Sequence, residues 1–198
     1  MTPRSSRWLL VLAAFTAGLV LFLGAILVVA GRGPGGTASA IGGPFTLVDQ
    51  NGKPVSDGDF KGKPFLVFFG FTHCPDVCPT TLFEVSEVLR ALGPDAARTA
   101  ALFITVDPER DTPAVLKDYL SSFDPHLRGL TGTPQQIAAA EKAYRAYAAK
   151  VPATTGGGDY TMDHTALVYL MDKNGRFVAP FSLKRQPQEA AADLRKYL

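Results

Sequence analysis

The sequence predicts an α/β protein: a mainly parallel sheet entered through a short leading β-hairpin and preceded by one transmembrane helix. Three observations carry this. Short apolar runs alternate with segments of helical period. The first runs after the hairpin are almost continuously apolar, as in strands covered on both faces. A last pair of runs flanks a Lys173-Asn174-Gly175 turn, which adds an antiparallel strand to a sheet otherwise built by crossovers.

The elements follow in order. Phe45 to Val48 and the Asn51-Gly52 turn predict the leading hairpin. Phe65 to Phe69 is the first buried strand, and a loop with Cys74 and Cys78 follows it. Leu82, Val85, Val88, Leu89 and Leu92 recur at helical spacing, with Thr81 and Glu84 as a capping box at the start. Ala101 to Val106 is the second strand. Thr112-Pro113 reads as an N-cap followed by proline in the first turn, and Val115, Leu116, Tyr119, Leu120 and Phe123 form that helix's apolar face. Thr133-Pro134-Gln135-Gln136 opens a third helix running to about Ala149. Its Tyr144 and Tyr147 are read as part of its amphipathic face. Ala166 to Met171 and Arg176 to Phe181 form the last hairpin, and a helix from Pro187 to Leu198 ends the chain. After the leading hairpin the expected order is β-α-β-α-α-β-β-α.

Trp8 to Ala30 is a run of 23 residues without a charge. As a helix it is about 34 Å long, against a hydrocarbon core of about 30 Å. The apolar region of a cleaved signal peptide is only about 7–15 residues, and Ala38-Ser39-Ala40, which mimics a cleavage site, lies well past the run. Arg4, Arg7 and the terminal amine precede the span, and only Arg32 follows closely. The positive-inside rule therefore makes residues 1–7 a cytoplasmic tail and 8–30 an inner-membrane anchor, with the rest outside, periplasmic in a bacterial chain. Gly31 to Gly43, rich in Gly, Pro, Ala and Ser, reads as a flexible tether to a domain over residues 44–198.

Composition excludes several classes. The 20 basic and 18 acidic residues leave a net charge of +2, which gives no electrostatic case for nucleic acid. With 46% hydrophobic and 19% charged residues, wholesale disorder is excluded. Two cysteines build neither a disulfide scaffold nor a four-cysteine zinc site. They build one reactive pair, in a compartment that permits disulfides.

That pair sits in Gly70-Phe71-Thr72-His73-Cys74-Pro75-Asp76-Val77-Cys78-Pro79. A cysteine pair directly after the first core strand, at the mouth of a helix, matches the thioredoxin arrangement, although three residues separate the cysteines where a thioredoxin site has two. Pro79 disfavours a helical Cys78, so both thiols are expected in the loop that feeds the helix. A helix amino terminus favours anionic sulfur. Two thiolates are nucleophilic, and they are soft ligands that suit Cu(I).

A third ligand would come from a histidine. His73 adjoins Cys74 and reads most simply as a loop residue that tunes the thiols. His126, after Asp124-Pro125, reads as a surface residue. His164 stands just before the strand that begins at Ala166, where a thioredoxin-like sheet carries a cis-proline facing the cysteine loop. A lone histidine there is usually a hydrogen-bonded structural residue, and spacing alone favours that reading over a ligand.

Three stretches together resemble the Sco/SenC/PrrC family of membrane-anchored, thioredoxin-like copper proteins: Gly70 to Pro79, Val106 to Pro113 (VDPERDTP) and Asp163 to Leu170 (DHTALVYL). The resemblance covers roughly the whole exported domain. It implies that Cys74, Cys78 and His164 ligate copper, as Cu(I) or as Cu(II) with a further ligand. It implies a metallochaperone for the binuclear copper site of cytochrome c oxidase subunit II, with another periplasmic copper chaperone as a candidate donor. It equally allows a thiol–disulfide oxidoreductase that reduces that subunit's cysteines through Cys74 and Cys78. Asp107, Arg110 and Asp111 of the middle stretch read as an ordered βα loop, the alternative being a role in shaping the site. Asp76 and Asp163 are helix-cap or loop-orienting candidates, and Phe69, Phe71 and Phe83 read as core and rim packing.

Two other readings fail. A peroxidatic cysteine follows a P-x-x-x-T-x-x-C pattern, and the Pro and Thr positions hold Val67 and Phe71 before Cys74, Phe71 and Pro75 before Cys78. A purely structural disulfide across so short a loop stabilises little.

Overall fold

The computed structural model describes residues 14–24, 41–152 and 160–198. The chain divides into two units, Met1–Ala38 and Ser39–Leu198. In the first, residues 14–24 (α1) are helical and exposed throughout. No helix among the described residues is long and apolar enough to cross a membrane. The remainder of the expected span over 8–30, and the expected tether as far as residue 40, lie outside the described residues.

The second unit opens with β1 (Thr46–Asp49) and β2 (Pro54–Ser56), an antiparallel hairpin as the sequence predicts. Its turn uses Gly52 at φ 78°, a conformation glycine adopts without strain. The Asp49 carboxylate accepts from the N–H groups of Asn51 and Lys53, both at 2.9 Å. There follow β3 (Phe65–Gly70), α2 (Val77–Leu92), β4 (Ala100–Thr105), α3 (Pro113–Leu120), β5 (Leu127–Thr131) and α4 (Pro134–Tyr144). Then come β6 (Ala148–Pro152), β7 (Tyr160–His164), β8 (Val168–Met171), β9 (Phe177–Pro180) and α5 (Pro187–Arg195).

Seven strands form one sheet in the order β2-β1-β5-β4-β3-β8-β9. The central β3, β4 and β5 run parallel, while β1 and β8 flank them antiparallel. Every residue of β3 and β4 is buried, which explains their unbroken apolar runs. This is the thioredoxin-like α/β fold that the sequence predicts, with two additions. β5 enters the sheet between α3 and α4, and β6 with β7 forms a separate two-stranded ladder.

The sequence hides β5 because Arg128 and Gly129 interrupt its pattern. Both serve packing. The Arg128 guanidinium lies over the Phe60 ring at 5.1 Å and pairs with Asp49 at 3.2 Å. A Cβ at Gly129 would stand 2.7 Å from Leu120 Cδ1, so α3 lies directly against the strand.

Helix boundaries differ from expectation most at α2 and α4, while α3 and α5 each stop three residues short, at Leu120 and Arg195. α2 begins at Val77, so Thr81 and Glu84 lie inside it and Cys78 occupies its first turn. Pro79 does not delay the helix, because N–H groups of the first turn have no intrahelical acceptor to lose. α4 stops at Tyr144 instead of near Ala149. Arg145 turns left-handed at φ 52°, and the N–H of Ala146 returns to Glu141 O at 2.9 Å. Tyr144 is buried as expected, whereas Tyr147 lies beyond the helix and is exposed. The caps at Thr112 and Thr133 form as predicted, the latter as a capping box with Gln136.

Candidate metal centre

The end of β3 and the start of α2 place the two sulfurs. Gly70 closes the strand, and a Cβ there would stand 2.8 Å from Cys78 Sγ and 2.7 Å from the Phe103 ring. Only glycine lets the cysteine pack onto the strand end. Phe71 to Asp76 then form a tight loop in which the Cys74 N–H donates to Phe71 O at 3.3 Å. The Cys78 N–H, in the first turn of α2, donates to Cys74 Sγ at 3.3 Å. Cys78 is fully buried and Cys74 is 9% exposed, so one sulfur is sealed and the other borders solvent.

His164 arrives from the far side, as the last residue of β7. Its Nε2 lies 3.5 Å from Cys78 Sγ, and its Nδ1 lies 3.3 Å from Thr165 O. A carbonyl only accepts, so the tautomer that donates from Nδ1 presents the Nε2 lone pair to the sulfurs, whereas the other tautomer donates from Nε2 to a Cys74 thiolate. Phe71 and Phe68 meet the imidazole edge-on at 5.7 and 6.1 Å. The ligand-capable atoms of Cys74, Cys78 and His164 all lie within 4.8 Å of one another, the single such group of three among the described residues. His73 and His126 stay outside it. The His73 Nδ1 faces Thr72 Oγ1 at 3.1 Å with an exposed ring, and the His126 Nδ1 pairs with Asp124 at 2.8 Å.

The two thiols differ electrostatically. Cys74 is held well below the usual thiol range, to about 4. The hydrogen bond from Cys78 is the largest cause. Burial opposes it, and His164 with the backbone N–H groups of Asp76 and Cys78 reinforces it. Cys78 moves up, first because its proton serves Cys74 and then because it is buried. The pair therefore carries one charge readily, on the sulfur nearer to solvent.

Asp111 fixes the cysteine loop. Fully buried, it accepts from the Thr72 N–H at 3.0 Å, from Thr72 Oγ1 at 2.6 Å and from Thr105 Oγ1 at 2.6 Å. It thus ties the residue two before Cys74 to the end of β4. Asp107 and Arg110 turn instead toward β7: Tyr160 Oη donates to Asp107 at 2.9 Å, and Arg110 Nη1 donates to Tyr160 O at 3.2 Å. Asp76 takes the N-cap position of α2 without a side-chain cap, and Asp163 is exposed. Phe69 and Phe71 are core, while Phe83 is exposed and packs under Arg90.

Sequence reasoning missed three contributors. Thr72 and Thr105 carry no signal of their own, because their common partner is Asp111. Tyr119, read only as part of an apolar face, holds its hydroxyl buried with no hydrogen-bond partner among the described residues. Burial pushes that hydroxyl's pKa up, and so do the nearby sulfurs of Cys78 and Cys74 and the Asp111 carboxylate.

Two sulfurs and one imidazole nitrogen make a soft donor set, suited to a monovalent copper ion. The same sulfurs also suit thiol–disulfide exchange.

Comparison with known proteins agrees with this geometry. The SCO1/SenC family model matches residues 34–198. The chain is 42% identical over 149 residues to a SCO2-like protein of Rickettsia felis, covering 75% of this chain and 73% of that protein. It is 69% identical to the ScoI protein of Bradyrhizobium japonicum, solved with copper bound, with a TM-score of 0.77 over 80% of this chain and all of that one. It is 38% identical to yeast Sco1, also solved with copper bound, with a TM-score of 0.72 over 80% of this chain and 88% of that one.

Proposed function

The chain belongs to the SCO1/SenC family, and on that premise we propose that it binds copper through Cys74, Cys78 and His164 and delivers it to the binuclear copper site of cytochrome c oxidase subunit II. The observation that carries the reading is the convergence of two sulfurs and an imidazole nitrogen, within 4.8 Å of one another, from separate elements of the fold. Copper is cargo here, so the protein needs to hold it without burying it. Cys74 borders solvent and Cys78 is sealed. An incoming thiolate or imidazole of the acceptor therefore meets the ion on the side of Cys74 and His164, and Cys78 is the last ligand to leave.

The proposal includes location. Residues 8–30 anchor the chain in the inner membrane with the amino terminus in the cytoplasm, and the copper domain faces the periplasm, where another copper chaperone is a candidate donor.

One observation favours a second reading. A thiolate on Cys74 beside a protonated Cys78, at a helix amino terminus, is the poise of a thiol–disulfide reductant. In that case the chain reduces the cysteines of subunit II so that they accept copper from elsewhere.

The deciding experiment loads the reduced full-length chain, in detergent, with Cu(I) and mixes it with apo subunit II whose cysteines are already reduced. Formation of the binuclear copper spectrum is expected. If no copper moves, yet the chain reduces an oxidised subunit II, the second reading replaces the first. Cys74→Ala and Cys78→Ala are expected to abolish tight copper binding. His164→Ala is expected to weaken it while leaving disulfide exchange intact.

A further inference from the structure

The ladder of β6 and β7 pairs with no strand of the seven-stranded sheet. Main-chain pairing thus reaches His164 only through the short link 165–167 to β8, and the rest of the ladder's placement falls to side chains. Those contacts converge on the loop after β4. Tyr160, at the start of β7, has its ring centroid 4.0 Å from the Arg110 guanidinium and 4.5 Å from Lys150 Nζ of β6. Tyr160 Oη donates to Asp107 Oδ1 at 2.9 Å, and Arg110 Nη1 donates to Tyr160 O at 3.2 Å. Arg110 Nε is also paired with Asp107. Lys150 Nζ pairs with Glu109 Oε2 at 2.6 Å, so the same loop holds both strands of the ladder.

The other end of this loop holds the cysteines, through Asp111 and Thr72. Between the two lies Phe71, whose ring centroid is 5.9 Å from the Arg110 guanidinium and 5.7 Å from the His164 ring. Phe71 thus stands between Arg110 and His164, meeting the imidazole edge-on. Arg110 Nη2 is buried without a hydrogen-bond partner among the described residues.

We infer that residues 107–111 form a bracket that sets the separation of the imidazole from the sulfur pair, with Arg110 as the positioning residue for His164 and Asp111 as its counterpart for the cysteine loop. The inference rests on the copper reading of the site. Groups that orient a ligand in this way affect metal affinity by about 10–100-fold.

The test measures how fast a chromogenic Cu(I) chelator extracts copper from the full-length chain in detergent. Four single forms are compared: wild type, His164→Ala, Arg110→Gln and Tyr160→Phe. The fifth is the Arg110→Gln/His164→Ala double variant. Arg110→Gln is expected to release copper about 10-fold faster than wild type, approaching His164→Ala. Tyr160→Phe, which removes one hydroxyl and keeps the ring, is expected to release it roughly threefold faster, and it decides the matter should Arg110→Gln fail to fold. The double variant is expected to be no faster than His164→Ala alone, because the arginine acts through the histidine; a general loosening of the fold would add instead. Wild-type rates in the folded Arg110 or Tyr160 variant, or losses that add to that of His164→Ala, overturn the bracket. A His164→Ala chain that keeps copper as well as wild type overturns instead the ligand assignment, and the bracket with it.

Discussion

Cys74 and Cys78 share one motif and have opposite chemistry. Cys74 collects hydrogen bonds that favour its anion, while Cys78 donates one and is sealed. Alkylation by iodoacetamide follows the thiolate fraction. Cys74 is thus expected to react first, at a rate nearly flat from about pH 8 to pH 5. The rate then falls as pH drops through about 4, where its thiolate takes up a proton. Cys78 stays protonated and unreactive over that range. Peptide mapping by mass checks both. Equal labelling of the two, or a Cys74 rate that climbs tenfold per pH unit above pH 6, would refute the assignment. Cys74, Cys78 and His164 were legible because each stands in a short motif. Thr72 was not, since its meaning lies in a carboxylate 39 residues away.

The elements that announce themselves are those with local punctuation. Thr112-Pro113 and Thr133-Pro134 begin helices where the hydroxyl can cap and the missing N–H costs nothing. β5 is silent because its signals are tertiary: an arginine that pairs with Asp49 and lies over Phe60, and a glycine demanded by α3. The β6–β7 ladder is silent for a similar reason, since its residues are mostly half-buried and show no clean alternation. The glycine gives a direct check. Gly129→Ala puts a methyl group against Leu120 and Leu116, and is expected to destabilise the domain by about 1–3 kcal/mol, read from chemical denaturation. A variant as stable as wild type would mean that α3 is free to retreat.

For the molecule as a whole, the resemblance stated from three motifs extends to the family match over residues 34–198. The folded unit also reaches further back than the tether's composition suggests. Ile41 packs on the core, and the Gly42 N–H donates to Ala143 O at 2.9 Å. The Gly, Pro, Ala and Ser composition that marks the tether gives no sign of this, because the partner groups belong to α4 and to the β8–β9 turn. A chain beginning at residue 44 is expected to be less stable than one beginning at residue 41 by about 1–2 kcal/mol, from one hydrogen bond and one aliphatic side chain. Equal thermal midpoints for the two would show that this segment contributes nothing.

The separate ladder that bears His164 has a consequence for how the site is held together. The seven-stranded sheet closes without the ladder, and both sulfurs belong to that sheet's connections. The donor set therefore straddles two pieces of sheet, with residues 165–167 as the covalent bridge from the imidazole to β8. A single loop, through Asp111 on one side and Asp107 with Arg110 on the other, grips both pieces, so a change in that loop is felt by the sulfurs and the nitrogen together.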